Sequence, residues 1–282
     1  MQKIKETGMR LLFALCACIS ILAVVLICWF LFSNGIPAIG EIGADKFLLG
    51  ERWKPLEKQF GIFPMIIGSI YVTAGAVLVG VPIGILCAVF LARFCPPRLH
   101  RLLKPAVDLL AGIPSIVYGF FGLVVIVPIM KELFGGSGKS LLTAGILLGI
   151  MILPTVIKTT ESSLNAVPKS YYEGALALGA THERSVFFAS LPAAKSGILA
   201  AIILGVGRAI GETMAVILVA GNQTVIPKSI TSGIRTLTSN IVMEMGYAGG
   251  LHREALIATG VVLFVFILII NLCFSALKRR KD

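Results

Sequence analysis

The amino-acid sequence predicts an all-α integral membrane protein with six transmembrane helices. Two observations carry that expectation. Of 282 residues, 57% are hydrophobic and 14% are charged, whereas a soluble chain carries about 25% charged residues. The apolar residues also gather into long unbroken runs, unlike the alternating segments of about 10 residues in a membrane β-barrel. The same composition excludes a disordered chain, which needs low hydrophobicity. Six cysteines in 282 residues are too sparse for a disulfide scaffold.

A membrane-crossing helix needs about 20 mostly apolar residues. Six segments qualify: 11–32, 63–92, 106–130, 141–157, 197–220 and 255–277. The first follows Lys3, Lys5 and Arg10 as a secretory signal would, but its 22 apolar residues exceed the about 7–15 of a signal core. It reads as a retained helix. The fourth is the shortest. Residues 1–62 therefore form an N-terminal transmembrane helix with an external loop. Residues 63–282 form the main transmembrane domain, with a long loop at 158–196.

The net charge is +11. No basic stripe with interleaved aromatics accompanies it, so a nucleic-acid partner is not expected. The basic residues instead flank the spans, where they set orientation. With the N-terminus inside, the inner segments hold fifteen Lys and Arg and the outer segments nine. Arg93, Arg98, Arg101 and Lys104 lie in one inner loop, and the tail Lys278-Arg279-Arg280-Lys281 agrees. Both termini are thus expected in the cytoplasm, with the lipid bilayer as the chain's surroundings.

Catalytic and metal chemistry find no support. Gly138-Lys139-Ser140 looks like the end of a P-loop, but Leu133 stands where that motif requires glycine. His100, His182 and His252 fall in three different loops without metal-ligand spacing and read as solvated residues. No catalytic residue, metal site or cofactor is expected on this chain.

Loop 158–196 reads as helix, turn, helix. A short helix over 159–166 ends before Pro168. A second carries Tyr171 to Leu178, with Gly179 placed as the glycine just past its end. Thr181 caps the next stretch, which closes at Leu191-Pro192. Glu161 and Glu183 read as solvated loop charges, and Asp108 as an N-terminal cap of span three.

Span five holds two charges, Arg208 and Glu212, four residues apart. A buried intramembrane Arg costs at least about 2.5–3.5 kcal/mol on insertion scales, so such residues face a cavity or pair. On one helix face the two either compensate each other as an ion pair, or Arg208 faces a path for an anion with Glu212 orienting it. Arg suits an oxyanion because of its planar donors. In span three, Pro114 interrupts the helix, and Gly112, Gly119 and Gly122 allow close helix contact. The hydroxyls of Ser115 and Tyr118 either meet a passing oxyanion or join helices.

These motifs resemble a known family. Permeases of ABC importers carry a cytoplasmic EAA loop, and its pattern is met by Glu173, Gly179, Leu191 and Pro192. Gly174 departs from it, where Ala is usual before Ala175, and so does Ala189. The stretch Gly207-Arg208-Ala209-Ile210-Gly211-Glu212-Thr213-Met214, with Ala111 to Gly122 and Gly250-Leu251-His252, is similar to the Pst-type phosphate importers, closest to their PstC-type permease subunit. The resemblance covers roughly 60–277. It implies a type I importer permease in a bacterial or archaeal cell (inner) membrane. It also implies three kinds of partner: a homologous PstA-like second permease, two ATPase subunits that bind ATP and Mg, and an external phosphate-binding protein. Glu173, Gly174, Ala175, Gly179, Leu191 and Pro192 would couple the ATPases to the spans, and Arg208, Glu212, Ser115 and Tyr118 would line the substrate pathway. Sulfate or molybdate is the near alternative substrate. An ion-coupled secondary transporter using Arg208 and Glu212 is the alternative class.

Overall fold

The computed structural model describes residues 2–279, and it is helical nearly throughout. In chain order the helices are α1 (Gln2–Ile42), α2 (Ala44–Leu48), α3 (Phe63–Val89), α4 (Pro97–Gly112), α5 (Ser115–Phe121), α6 (Val127–Phe134) and α7 (Leu141–Ala166). They continue with α8 (Lys169–Ala177), α9 (His182–Ser185), α10 (Leu191–Ala193), α11 (Lys195–Gly211), α12 (Met214–Val219), α13 (Leu237–Glu244) and α14 (Leu251–Arg279). One small hairpin, β1 (Trp53–Lys54) and β2 (Gln59–Phe60), pairs antiparallel after α2. Among the described residues five helical segments are long and apolar enough to cross a membrane, or six if the pair His182–Ala193 and Lys195–Gly211, bent by 69°, is one span. The side chains of Lys3 and Lys5 and of the basic tail at 278–281 lie outside the described residues.

The spans depart from the apolar runs in four places. First, α1 continues ten residues past 32, through Gly35 and Pro37. Gly35 is a contact here, not a breaker: a Cβ on it would stand 2.5 Å from Val261 on α14. At about 60 Å, α1 is twice the thickness of a hydrocarbon core. Second, the third span is Ser115–Phe134. The segment expected to open it belongs to α4, which stops at Gly112, because Pro114 follows an extended Ile113. Asp108 therefore caps nothing; it lies inside α4 and its Oδ1 is 2.7 Å from Lys158 Nζ. Third, α7 runs on to Ala166, so the expected short helix at 159–166 is its last two turns. Fourth, span five is broken. α11 ends at Gly211, and α12 begins at Met214.

Glycine builds the centre. α3 and α7 run in the same direction and touch through Gly75 and Gly145, Gly80 and Gly149, and Gly84 and Val156. A Cβ on Gly80 would meet the Gly149 carbonyl at 2.6 Å. Helices in lipid associate by such close packing, since burial of apolar surface gives no preference over lipid tails. α11 lies on α7 at Gly205, and Gly119 of α5 backs onto Ala215 of α12. Gly112, by contrast, meets open space.

A second core sits at the hairpin end of the bundle. Phe47, Trp53, Phe60, Ile62 and Met65 pack there with Leu237, Ala255 and Leu256. The segment 221–250 folds inward over this core, and Thr236, Ser239 and Asn240 of its polar stretch are buried. Glu244 at the end of α13 ties the parts together. It accepts hydrogen bonds from Trp53 Nε1 at 2.8 Å and His252 Nε2 at 2.9 Å, and it pairs with Arg235.

The histidines are thus not solvated. His252 binds Glu244; His100 lies 3.2 Å from Glu161; His182 is 2.7 Å from the Tyr172 hydroxyl and 4.7 Å from the Phe94 ring. Glu161 is not solvated either. It is buried, and His100 and Lys104 both reach its Oε1 at 3.2 Å. Glu183 is exposed as expected, and hydrogen bonds from its own backbone and from Thr181 hold its carboxyl below the usual carboxylate range. No group of three or more His, Cys, Asp or Glu able to hold a metal exists among the described residues.

Candidate functional site

The two breaks, Ile113-Pro114 and Glu212-Thr213, lie close together, because Gly119 lets α5 press against α12. Irregular backbone at membrane depth is tolerated only where protein or a water-filled cavity satisfies it. Each break is satisfied by named groups. The Tyr118 hydroxyl donates to the Leu110 carbonyl at 2.8 Å, closing the corner between α4 and α5. The Glu212 carboxylate accepts the backbone N–H groups of Thr213 and Ala215, both at 3.1 Å. The Glu212 carbonyl accepts the Thr238 hydroxyl at 3.1 Å.

Arg208 and Glu212 are therefore not a pair. The helix ends at Gly211, so the four-residue spacing never becomes a shared face. Glu212 is extended and its side chain caps the N-terminus of α12, the positive end of a helix dipole. Among the described residues Arg208 has no carboxylate partner. Its Nη1 reaches Thr155 Oγ1 of α7 at 3.5 Å. The guanidinium is half-buried beside exposed Gly207 and Gly211. Ser115 is half-buried at the first turn after the Pro114 break. Three of the four expected pathway residues thus surround two helix breaks, with Arg208 one turn away. Thr155 is an addition that no intramembrane charge in the sequence pointed to.

From Pro168 onward the loop at 158–196 has the expected helix and turn. α8 begins after Pro168 and stops because Gly179 takes φ +86°. Its amide bonds the Leu176 carbonyl at 2.9 Å. The Thr181 hydroxyl accepts the Arg184 amide, capping α9. Glu173 and Gly174 are exposed and Ala175 is half-buried. Tyr171, Leu178 and Phe188 project large apolar surfaces beside them. Leu191 and Pro192 form the short α10 just before the 69° bend into α11.

Broken spans, an intramembrane cation with no carboxylate partner among the described residues, and a short exposed helix bordered by Tyr171, Leu178 and Phe188 fit a multi-pass membrane transport component. The chain belongs to the binding-protein-dependent transport system inner membrane component family, whose model matches residues 80–282. It is 37% identical to the "Probable ABC transporter permease protein YqgH" of Bacillus subtilis over 99% of this chain and 93% of the relative. It is 35% identical to the phosphate transport system permease protein PstC of Mesorhizobium japonicum, over 89% of this chain and 83% of that one. Its fold matches a chain in an inward-facing structure of the MetNI methionine ABC transporter with a TM-score of 0.63. That match is 20% identical and covers 82% of this chain and all of the other.

Proposed function

We propose that this chain is the PstC-type permease subunit of an ATP-driven importer of inorganic phosphate. The observation that carries the reading is the likeness to PstC permeases across nearly the whole chain, at more than a third identical residues. The exposed α8 surface supports the class. A self-contained secondary transporter has no use for a short exposed helix ended by a positive-φ glycine and bordered by exposed Tyr171, Leu178 and Phe188.

In this reading the loop end faces the cytoplasm, as do both termini. Of two ATPase subunits, which bind ATP and Mg, one docks on α8 around Glu173, Gly174 and Ala175. The chain itself hydrolyses nothing. Closure of the ATPases shifts α8, and Leu191-Pro192 pass that shift into α11. A homologous PstA-like permease completes the path, and an external binding protein delivers phosphate at the hairpin end. Alternating access then exposes Arg208 to each side in turn. Its uncompensated charge, steadied by Thr155, attracts the oxyanion with planar donors. Glu212 and Tyr118 hold the two breaks that let the path open beside it, and Ser115 lies at the second of them.

The test is labelled phosphate uptake in cells lacking the chain. Restoring it should restore uptake at low external phosphate, and excess sulfate or molybdate should not compete. Competition by either would assign the other oxyanion. Glu173→Lys should leave the chain in the membrane and abolish co-purification of the ATPase; uptake without any ATPase partner would end the reading.

A further inference from the structure

α4 is neither a span nor part of the coupling loop. One of its faces is committed. Leu103 and Val107 pack against Ala88, Leu91 and Ile157. His100 and Lys104 reach Glu161, and Asp108 reaches Lys158. Lys158 and Glu161 are the first charges on α7 after its apolar run from 141 to 157. These pairs therefore fix α4 at the height where the apolar part of α7 ends, which is the bilayer interface.

The other face is open and apolar. Leu99, Leu102, Ala106 and Leu109 share a stripe at helical spacing. Leu102 is 69% exposed and Leu109 is 74% exposed. Arg98 and Arg101 border one edge of this stripe, both exposed. Among the described residues neither is paired with a carboxylate, and the only acid on α4, Asp108, is held by Lys158. Leucines bordered by arginines at the edge of a bilayer match a helix lying in the interface, with its cations at the level of lipid phosphates.

We propose that α4 is an anionic-phospholipid site: Leu99, Leu102 and Leu109 enter the acyl layer, and Arg98 and Arg101 hold the headgroup phosphate. The site anchors the corner that Tyr118 closes, so it fixes the lever between α3 and the third span. It does not depend on which solute the importer carries.

Brominated lipids test the site directly. The full chain would carry Leu102→Trp and Trp29→Phe, because Trp29 is itself 72% exposed. Trp53, 5% exposed, remains as an unquenched reporter that the fold is intact. In phosphatidylcholine vesicles, a minor fraction of brominated phosphatidylglycerol should quench Trp at 102 more strongly than the same fraction of brominated phosphatidylcholine. The apparent preference should be about tenfold. Arg98→Gln with Arg101→Gln should abolish the preference, and the Lys pair should keep most of it. Inorganic phosphate at millimolar levels should leave it unchanged. Equal quenching by both lipids, no quenching because water or another protein covers the face, or loss of the preference to added phosphate would each overturn the proposal.

Discussion

The Glu212 carboxylate accepts the backbone N–H of Ala215 at 3.1 Å and so caps α12, while Arg208 stands one turn away without it. A cap and an ion pair answer differently to substitution. Glu212→Gln keeps an acceptor oxygen and is expected to retain most of the stability and transport. Glu212→Ala removes the cap and is expected to cost about 0.5–2 kcal/mol, read as a fall in melting temperature in detergent. Equal damage from Gln and Ala would point back to a charge pair.

Thr155 steadies Arg208 from α7. Thr155→Ser keeps the hydroxyl and should leave transport near normal. Thr155→Val should raise the KM for the transported anion by about tenfold or less, with the maximal rate little changed. A fall in rate at constant KM would place Thr155 in helix packing alone.

At the hairpin end, Trp53 and Glu244 are 191 residues apart in sequence and 2.8 Å apart in space. Glu244→Ala leaves the largely buried Arg235 bonded to Asn222 and Asn240 but without its carboxylate, which is expected to cost up to about 3–5 kcal/mol. Trp53→Phe loses one hydrogen bond from the same hub, and its cost should shrink in the Glu244→Ala background. Additive costs in a double-mutant cycle would show that the bond contributes nothing.

Two glycines should respond in opposite senses. Gly80→Ala drives a methyl into the Gly149 carbonyl, and overpacking of this kind costs about 1–3 kcal/mol. Gly174→Ala meets open space in α8 and should raise helix stability by up to about 1 kcal/mol. Thermal melting of the two variants, side by side, checks both signs.

The apolar runs made the spans at 63–92 and 141–157 legible, because lipid demands a continuous helix there. Gly179 and Thr181 were legible because a helix end needs a positive φ and a cap begins the next helix. Other features depended on contacts distant in the chain. The first apolar run ends at 32, yet α1 continues to Ile42 with Gly35 fitted against α14. Gly211 weakens the helix, but a glycine inside an apolar run does not by itself mark a break; the break holds because Glu212 and Thr238 satisfy its backbone. Thr236, Ser239, Asn240 and Glu244 are too polar to read as buried, and they become so by bonding within their own segment and, through Leu237 and Glu244, to Ser69 and Trp53. The histidines read as solvated because Glu161 and Glu244 find them only in three dimensions.

Labelled phosphate uptake by Arg208→Ala at low external phosphate tests the central claim most directly. The variant should reach the membrane, keep its ATPase partner and import no phosphate above the level of cells lacking the chain. Uptake at the rate of the unaltered chain would contradict the claim that Arg208 serves the path.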